Sequence, residues 1–211
     1  MSLNLKVARL TPPVTDAELK DFAKIDSTDE DALITILNEV ATDFIEKLLA
    51  MSLITTEWEL NLDAFPIAID GGDCPAFPDQ GFGTGRAFFE IHRTPIQTVE
   101  SIKYIDENGD LQTLAATEYD VDTKATGPSR VVESLDADWP TAENTINSVT
   151  VCFTSGFGDA TDEVPEPLKH IIKLYFLHLY EHRDSYDACK NEEVPFLINA
   201  LLDCYRIKVF G

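Results

Sequence analysis

Positively charged residues are scarce in this 211-residue sequence. Sixteen lysines and arginines stand against 38 aspartates and glutamates, which gives a net charge of −22. Proteins that grip DNA or an anionic membrane use Lys and Arg to displace counterions from phosphate groups. The composition therefore argues against tight binding of nucleic acid or of a membrane surface. Hydrophobic residues still make up 44% of the chain, so we expect an ordered core in spite of the charge.

Cysteine pairs and long apolar runs are also missing. The four cysteines, Cys74, Cys152, Cys189 and Cys204, show no C-x-x-C spacing, so we expect reduced thiols in a cytosolic protein. No apolar segment has the length of a membrane span, and the first residues lack the basic-then-apolar pattern of a signal peptide. The sequence thus predicts neither a disulfide framework nor a membrane anchor.

The acidic charge is concentrated in the middle of the chain. Residues 53–157 carry 18 acidic and 5 basic residues, a net charge of −13, whereas 1–52 carries −5 and 158–211 carries −4. Thr, Val, aromatic residues, Gly and Pro are also more frequent in the middle segment. We therefore predict N-terminal helices over 1–52, an inserted antiparallel β domain over 53–157, and C-terminal helices over 158–211.

Helical patterns mark the N-terminal flank. Thr15-Asp16-Ala17-Glu18 and Ser27-Thr28-Asp29-Glu30 both match the capping box, in which a hydroxyl side chain and a Glu three residues later satisfy two backbone N–H groups. The first box predicts a short helix. A broad apolar stripe over 33–49 follows the second box and predicts a long one.

The C-terminal flank carries a helix of unusual composition. Pro165 and Pro167 open it, and from Ile171 to Tyr180 only Lys173 and a histidine interrupt the apolar residues. A helix with so little polar surface must be buried in its own domain or against a neighbouring subunit. The pattern therefore indicates an assembly component, and a last helix is expected near the C-terminus.

Between the flanks the hydrophobic period changes to two. Trp58, Leu60 and Leu62 alternate with polar residues, as in a strand with one face toward a core. Asn108-Gly109, set between two apolar runs, is a strong hairpin signal because both residues accept a positive φ. The predicted fold class is α+β: a helical bundle built from the N- and C-terminal helices, with an inserted antiparallel β unit.

One motif points to catalysis. His178-Leu179-Tyr180-Glu181-His182 matches the H-x-x-E-H pattern of zinc peptidases. On a helix, His178 and His182 would lie one turn apart and could share a zinc ion, while Glu181 could act as a base toward metal-bound water. A third ligand is needed, and only Glu192 and Glu193 follow nearby. A zinc-dependent hydrolase is thus an alternative hypothesis, beside an acidic protein-binding module; no catalytic residue is assigned.

Short motifs follow one another in a definite order along nearly the whole chain. They are Pro12-Pro13-Val14-Thr15, Ile25-Asp26, Asp29 to Ile34, Leu53 to Leu60, Phe65-Pro66, Thr94 to Val99, Ile102-Lys103-Tyr104, Asn108-Gly109, Trp139-Pro140, Phe153 to Gly158, Val164-Pro165, Tyr180 to Arg183 and Val194-Pro195-Phe196. In this order and spacing the chain resembles the head-tail connector (adaptor) proteins of long-tailed bacteriophages, prophages and gene-transfer particles. A long loop over 70–86 departs from the family pattern.

The resemblance implies a structural virion protein without enzymatic activity or cofactor. Such subunits form a ring below the portal protein and join the DNA-filled head to the tail or its stopper protein. A closed ring needs a heterologous head-to-tail interface, with about twelve copies expected to match the portal. DNA would pass through without specific binding, since like charges repel it. The expected location is the virion, assembled in the host bacterial cytoplasm.

The resemblance also suggests where subunits touch. We expect the helix over 165–183 and the stripe over 33–49 to supply both bundle core and contacts between subunits. The candidate residues for contact with another subunit or with the portal are Ile172, Tyr175, Phe176, Leu179, Arg183 and Tyr205.

Overall fold

A computed structural model describes residues 1–67, 86–123, 127–182, 198 and 201–206. Contacts divide the chain into two compact units. The β unit combines Met1–Ala8 with Thr56–Ser155, and the α unit combines Arg9–Thr55 with the residues that follow from Gly156. The first eight residues thus group with the strands. The predicted boundaries, with N-terminal helices over 1–52, an inserted β domain over 53–157 and C-terminal helices over 158–211, remain a prediction.

The β unit contains two antiparallel sheets. From edge to edge, the five-stranded sheet consists of β1 (Ser2–Val7), β2 (Thr56–Leu62), β8 (Val149–Ser155), β4 (Ile96–Ile105) and β5 (Leu111–Thr113). The three-stranded sheet consists of β3 (Phe88–Ile91), β7 (Ser129–Glu133) and β6 (Tyr119–Asp122). All neighbouring strands are antiparallel. The hairpin predicted at Asn108-Gly109 joins β4 to β5, with Gly109 at a φ of 84°.

One hydrophobic core serves both sheets of the β unit. The predicted core face of β2 is confirmed at Leu60, which is buried opposite Val151 of β8, whereas the polar Asn61 next to it is buried as well, so burial does not alternate strictly. Phe65 stacks on Trp139 with ring centroids 5.0 Å apart, and the Trp139 indole N–H donates to the Ala87 carbonyl at 3.1 Å. This satisfies the indole's single donor as its ring is packed, as a half-buried Trp requires. The core residues are Leu60, Leu62, Phe65, Phe89, Ile91, Ile96, Ile102, Leu114, Tyr119, Val131, Val149, Val151 and Phe153.

Three α helices and one short 3-10 helix (Thr161–Glu163) form the α unit in the described part of the chain. The α helices are α1 (Asp16–Ala23), α2 (Asp31–Leu49) and α3 (Glu166–Glu181). The predicted capping box of α1 is confirmed: the Glu18 N–H donates to the Thr15 hydroxyl at 3.2 Å, and the Thr15 N–H donates to the Glu18 carboxylate at 2.9 Å. Pro165 is the N-cap of α3, as its sequence indicated.

The second predicted capping box is wrong. Helix α2 has Glu30 as its N-cap, and no side chain caps this end. The Ser27 hydroxyl instead accepts from the Asp29 N–H at 3.1 Å, which closes a local turn before the helix begins. Serine side chains form such turns as readily as they form caps, so the same four residues can serve either arrangement.

The core of the α unit is built from all three helices. Its buried residues are Val14, Leu19, Ile34, Ala41, Ile45, Leu49, Met51, Leu53, Ile54, Val164, Leu168, Ile171, Ile172, Phe176, Ile198 and Leu202. The α unit also contains a buried carboxylate. Glu46 accepts from the Leu53 N–H at 2.9 Å and pairs with Arg9 at 3.1 Å.

The predicted fold class is wrong. The molecule is not a helical bundle with a β insertion. In the described residues, two antiparallel sheets with eight strands in total accompany three α helices. The prediction gave no weight to the first residues, where Leu3, Leu5 and Val7 alternate and form β1. It also counted a last helix, of which the structure describes only residues 198 and 201–206.

Gly156 lies where neighbouring backbone leaves no room for a side chain, and we expect mutation to demonstrate this. It has a φ of 142°, and a Cβ there would lie 2.6 Å from the Ile54 carbonyl carbon and the Thr55 nitrogen. Gly156→Ala should therefore lower the free energy of unfolding by about 2–4 kcal/mol, combining backbone strain with overpacking. Gly109→Ala is the control, since nothing lies within 4 Å of its Cβ position; its strain alone should cost about 1 kcal/mol. Urea denaturation measures both, and equal losses would contradict the close approach at Gly156.

Glu18 makes the α1 end sensitive to pH. Its pKa is lowered, first by the hydrogen bond from the Thr15 N–H and then by the Thr15 hydroxyl and Lys173, which lies 3.3 Å away on α3. A lowered pKa adds stability above the unfolded-state value and loses it as the pH falls through the folded-state value.

Glu18→Gln keeps the capping geometry but removes the charge. We expect it to lower the free energy of unfolding by about 0.5 kcal/mol at pH 7, because the pair is partly exposed and screened. This difference should vanish in acid, below the pKa of Glu18. Glu39→Gln, an exposed change on α2, is the control. Urea titrations at pH 7 and at a series of lower pH values measure the effect, and a difference that does not shrink as the pH falls would contradict it.

Candidate functional site

Helix α2 is apolar on two sides. One side is buried in the α unit through Ile34, Ala41, Ile45 and Leu49. On the other side, residues spaced four apart leave apolar surface open: Ile36 is 57% exposed, Val40 48% and Leu48 36%, while Phe44 between them is half-buried. Residues four apart lie above one another on a helix. We call Ile36, Val40, Phe44 and Leu48 the α2 face.

Aromatic rings continue the α2 face onto α3. Phe44 stacks on Tyr175 with ring centroids 4.5 Å apart and an interplanar angle of 15°. Burial raises the pKa of the Tyr175 hydroxyl. The Tyr175 ring lies 6.3 Å from that of His178. The α unit therefore carries an apolar strip with polar groups at one side, which is the usual make-up of a protein-binding surface.

The predicted contact residues fall in different places. Ile172 and Phe176 are fully buried in the α-unit core, where they pack within the chain itself. Tyr175, Leu179 and Tyr205 are partly buried at the margin of that core. Arg183 lies outside the described residues. Contact of these residues with another subunit stays a prediction, and in this structure only the partly buried ones offer surface for it.

The α2 face lay inside the predicted stripe over 33–49, but sequence reasoning did not single it out. One signal was available in the width of the stripe. Its ten apolar residues span more than half of the helix circumference, whereas a surface helix needs only about 100° to face a core. The excess indicates a second apolar contact.

The histidines of the H-x-x-E-H motif lie together at the end of α3. The His178 and His182 rings are 4.7 Å apart, and the His182 Nδ1 is 3.0 Å from the His178 carbonyl oxygen. Glu181 is exposed. Within the described ranges, no three His, Cys, Asp or Glu side chains are grouped so as to hold a metal ion. Glu192 and Glu193 lie outside those ranges. The described chemistry is two neighbouring imidazoles, which is too few ligands for a zinc site.

The acidic residues of the β unit exceed the cations that pair with them. Arg130 contacts Asp122 at 2.6 Å, and Arg86 contacts Asp120 at 2.7 Å. Asp106 is used locally: the Asp110 N–H, the Gln112 amide and the Asn108 N–H donate to its carboxylate, and these bonds lower its pKa. Glu100, Glu107, Asp110 and others remain exposed. The β unit therefore presents a strongly negative surface, which repels nucleic acid.

No helix of the described chain is both long and apolar enough to span a bilayer.

Comparison with known proteins gives a fold likeness that extends over the full chain. No protein-family model matches the sequence, and no curated protein sequence matches it. Solved structures do match it, and three of them cover 100% of this chain and 98% of their own. They are described as "Virion of native gene transfer agent (GTA) particle" (24% identity, TM-score 0.72), "Neck of empty GTA particle computed with C6 symmetry" (25%, 0.74) and "Neck of native GTA particle computed with C12 symmetry" (24%, 0.68). The chain thus has the fold of proteins found in the virion and neck of these particles.

Proposed function

We propose that this chain is a structural protein of the neck of a phage-like particle, and more specifically a head-tail connector subunit. The observation that carries the proposal is the fold likeness to neck proteins over the full length of both chains, at TM-scores of 0.68 to 0.74. The ordered motifs along the sequence point to the same family independently of the coordinates. In this role the chain joins a DNA-filled head to a tail and resides in the virion.

Ring formation is the assembly that this role requires. The neck structures with this fold were computed with C6 and C12 symmetry, and cyclic symmetry places identical copies side by side. Head-to-tail copies close a ring only if each presents two different complementary surfaces. We assign one of these two surfaces to the α2 face, because its aliphatic side chains remain partly exposed in the described structure. Full burial of an aliphatic side chain contributes about 1.5–3 kcal/mol, so half-exposed Ile36, Val40 and Leu48 together would add about 2–4 kcal/mol.

The net charge gives this assembly a specific salt dependence. Two chains of charge −22 repel each other, so association must come from apolar contact and should strengthen as salt screens the charges. The same negative surface suits a ring through which DNA passes without specific binding. The portal protein on one side and a tail or stopper protein on the other are the partners that a connector requires.

The non-enzymatic reading is supported by the likeness to structural neck proteins. A second candidate, an acidic binding module, rests on the negative β unit alone. It differs from the connector in one respect that can be measured, since such a module has no need to form a closed oligomer.

Self-association is the decisive test of the proposal. Native mass spectrometry across a concentration series, at low and high salt, should reveal a metal-free closed oligomer of about twelve copies. Ile36→Lys or Val40→Lys should raise the midpoint concentration of assembly by about tenfold or more, because a charge replaces an apolar contact. Leu10→Lys is the control, since it makes the same charge change at an exposed position of the α unit. A chain that stays monomeric at every concentration and salt would contradict self-association, and equal effects of all three variants would contradict the role of the α2 face.

The zinc alternative makes an opposite prediction. On the connector proposal, His178→Ala and His182→Ala should each change the free energy of unfolding by less than about 1 kcal/mol, as is usual for surface positions. Equilibrium dialysis against zinc, followed by metal analysis, should recover far less than one zinc per chain. A stoichiometric zinc ion that both substitutions abolish would overturn the non-enzymatic reading and lead to peptidase assays.

A further inference from the structure

The outer edge of β1 is open. All six residues of the strand are exposed, and in the described part of the chain no strand pairs with its outer side. Leu3 lies opposite Leu60 and Leu5 opposite Trp58, so these two leucines share the side of the sheet that covers the β-unit core. They are nevertheless 41% and 53% exposed. The apolar face of the sheet thus runs to its edge without cover.

The other sheet edges are better protected against pairing. Strand β5 has only three residues, and β3 and β6 have four each. Glu90 lies on β3, and Asp120 and Asp122 lie on β6. Short and charged edge strands discourage the addition of another strand. In β1, the charge of Lys6 and a register shift between Leu5 and Val7 protect only the C-terminal end. The stretch Ser2–Leu5 is left as an unprotected edge.

Charge also favours this edge for contact between copies. Residues 1–15 contain Lys6, Arg9 and no acidic residue, so the other 196 residues carry a net charge of −24. Lys6 lies 3.4 Å from Glu57 and remains 44% exposed. Strand β1 itself therefore offers a neighbouring copy a partly exposed cation and no carboxylate, and the excess of carboxylates on that copy is complementary to the basic end of the strand.

We propose that β1 binds an extended segment of the neighbouring copy in the ring, which adds a strand to the five-stranded sheet across the subunit boundary. This inference rests on the proposed function, because cyclic assembly supplies the second copy. The bound segment must be different from β1. Two β1 strands paired with each other would consume both edges in a two-fold dimer and could not close a larger ring. Main-chain hydrogen bonds would supply the affinity, and apolar side chains alternating along the segment would cover Leu3 and Leu5.

Hydrogen exchange tests this pairing directly in the full chain. Amide exchange of residues 2–7 is measured by mass spectrometry in the monomer at low concentration and in the oligomer at high concentration. Pairing on the outer side of β1 should slow exchange in the oligomer by about tenfold or more, since amides that faced water become hydrogen-bonded.

A matched pair of variants tests the energetic contribution. Leu3→Lys/Leu5→Lys should raise the midpoint concentration of assembly by about tenfold or more. Leu135→Lys/Ile146→Lys adds the same charge to the β unit at side chains that are 82% and 84% exposed, and should change the midpoint by less than about twofold. Exchange of residues 56–62 in monomeric Leu3→Lys/Leu5→Lys should equal that of the wild type, which verifies that β1 still pairs with β2.

The outcomes separate this inference from the function on which it rests. An oligomer in which residues 2–7 exchange as fast as in the monomer, or in which Leu3→Lys/Leu5→Lys acts like its control, overturns strand addition and leaves the ring. A terminal dimer with protected β1 indicates β1–β1 pairing and also overturns the proposal. A chain that never associates overturns both strand addition and the ring.

Discussion

The α unit depends on one buried carboxylate. Glu46 on α2 accepts from the Leu53 N–H and pairs with Arg9, so it holds the chain segments that lead into and out of the unit. Arg9 also contacts Asp43 at 2.9 Å, one turn earlier on the same helix. A buried carboxylate is tolerated only when its partners are in place, and loss of one partner leaves an uncompensated charge. The Leu53 carbonyl in turn accepts a hydrogen bond from the Phe157 N–H at 3.2 Å. This bond links the Glu46 site to the close backbone contact at Gly156.

Apolar surface and negative charge act against each other in this protein. A net charge of −22 keeps copies apart, yet the α2 face and the edge strand β1 expose aliphatic side chains in ordered rows. Isolated exposed leucines need no explanation, but rows on regular elements are typical of binding surfaces. A molecule of this kind associates only where contact removes enough apolar area to outweigh repulsion. That balance suits a ring subunit, which must stay soluble until its neighbours are in register.

Sequence patterns predicted individual elements well and their assembly poorly. The capping box at Thr15 formed as expected because both of its hydrogen bonds are local. The box at Ser27 did not, because a serine turn competes for the same residues. The helical-bundle fold was wrong because eight strands in two sheets accompany only three α helices in the described residues, and β1, which was overlooked, becomes a strand only through pairing with β2, more than fifty residues away. The paired histidines were correctly seen as neighbours on a helix, whereas the ligands around them depend on distant segments.

The sequence by itself determined the elements whose cause is local. The strand β2, the positive φ at Gly109, the proline that opens α3 and the acidic surplus all follow from residues close together in the chain. Only the tertiary structure decided which apolar residues are covered. Ile172 and Phe176 lie inside the core, while Ile36 and Val40, equally apolar, remain at the surface. The reason is physical. Periodicity indicates which face of an element is apolar, but whether that face is buried depends on which distant segment packs against it.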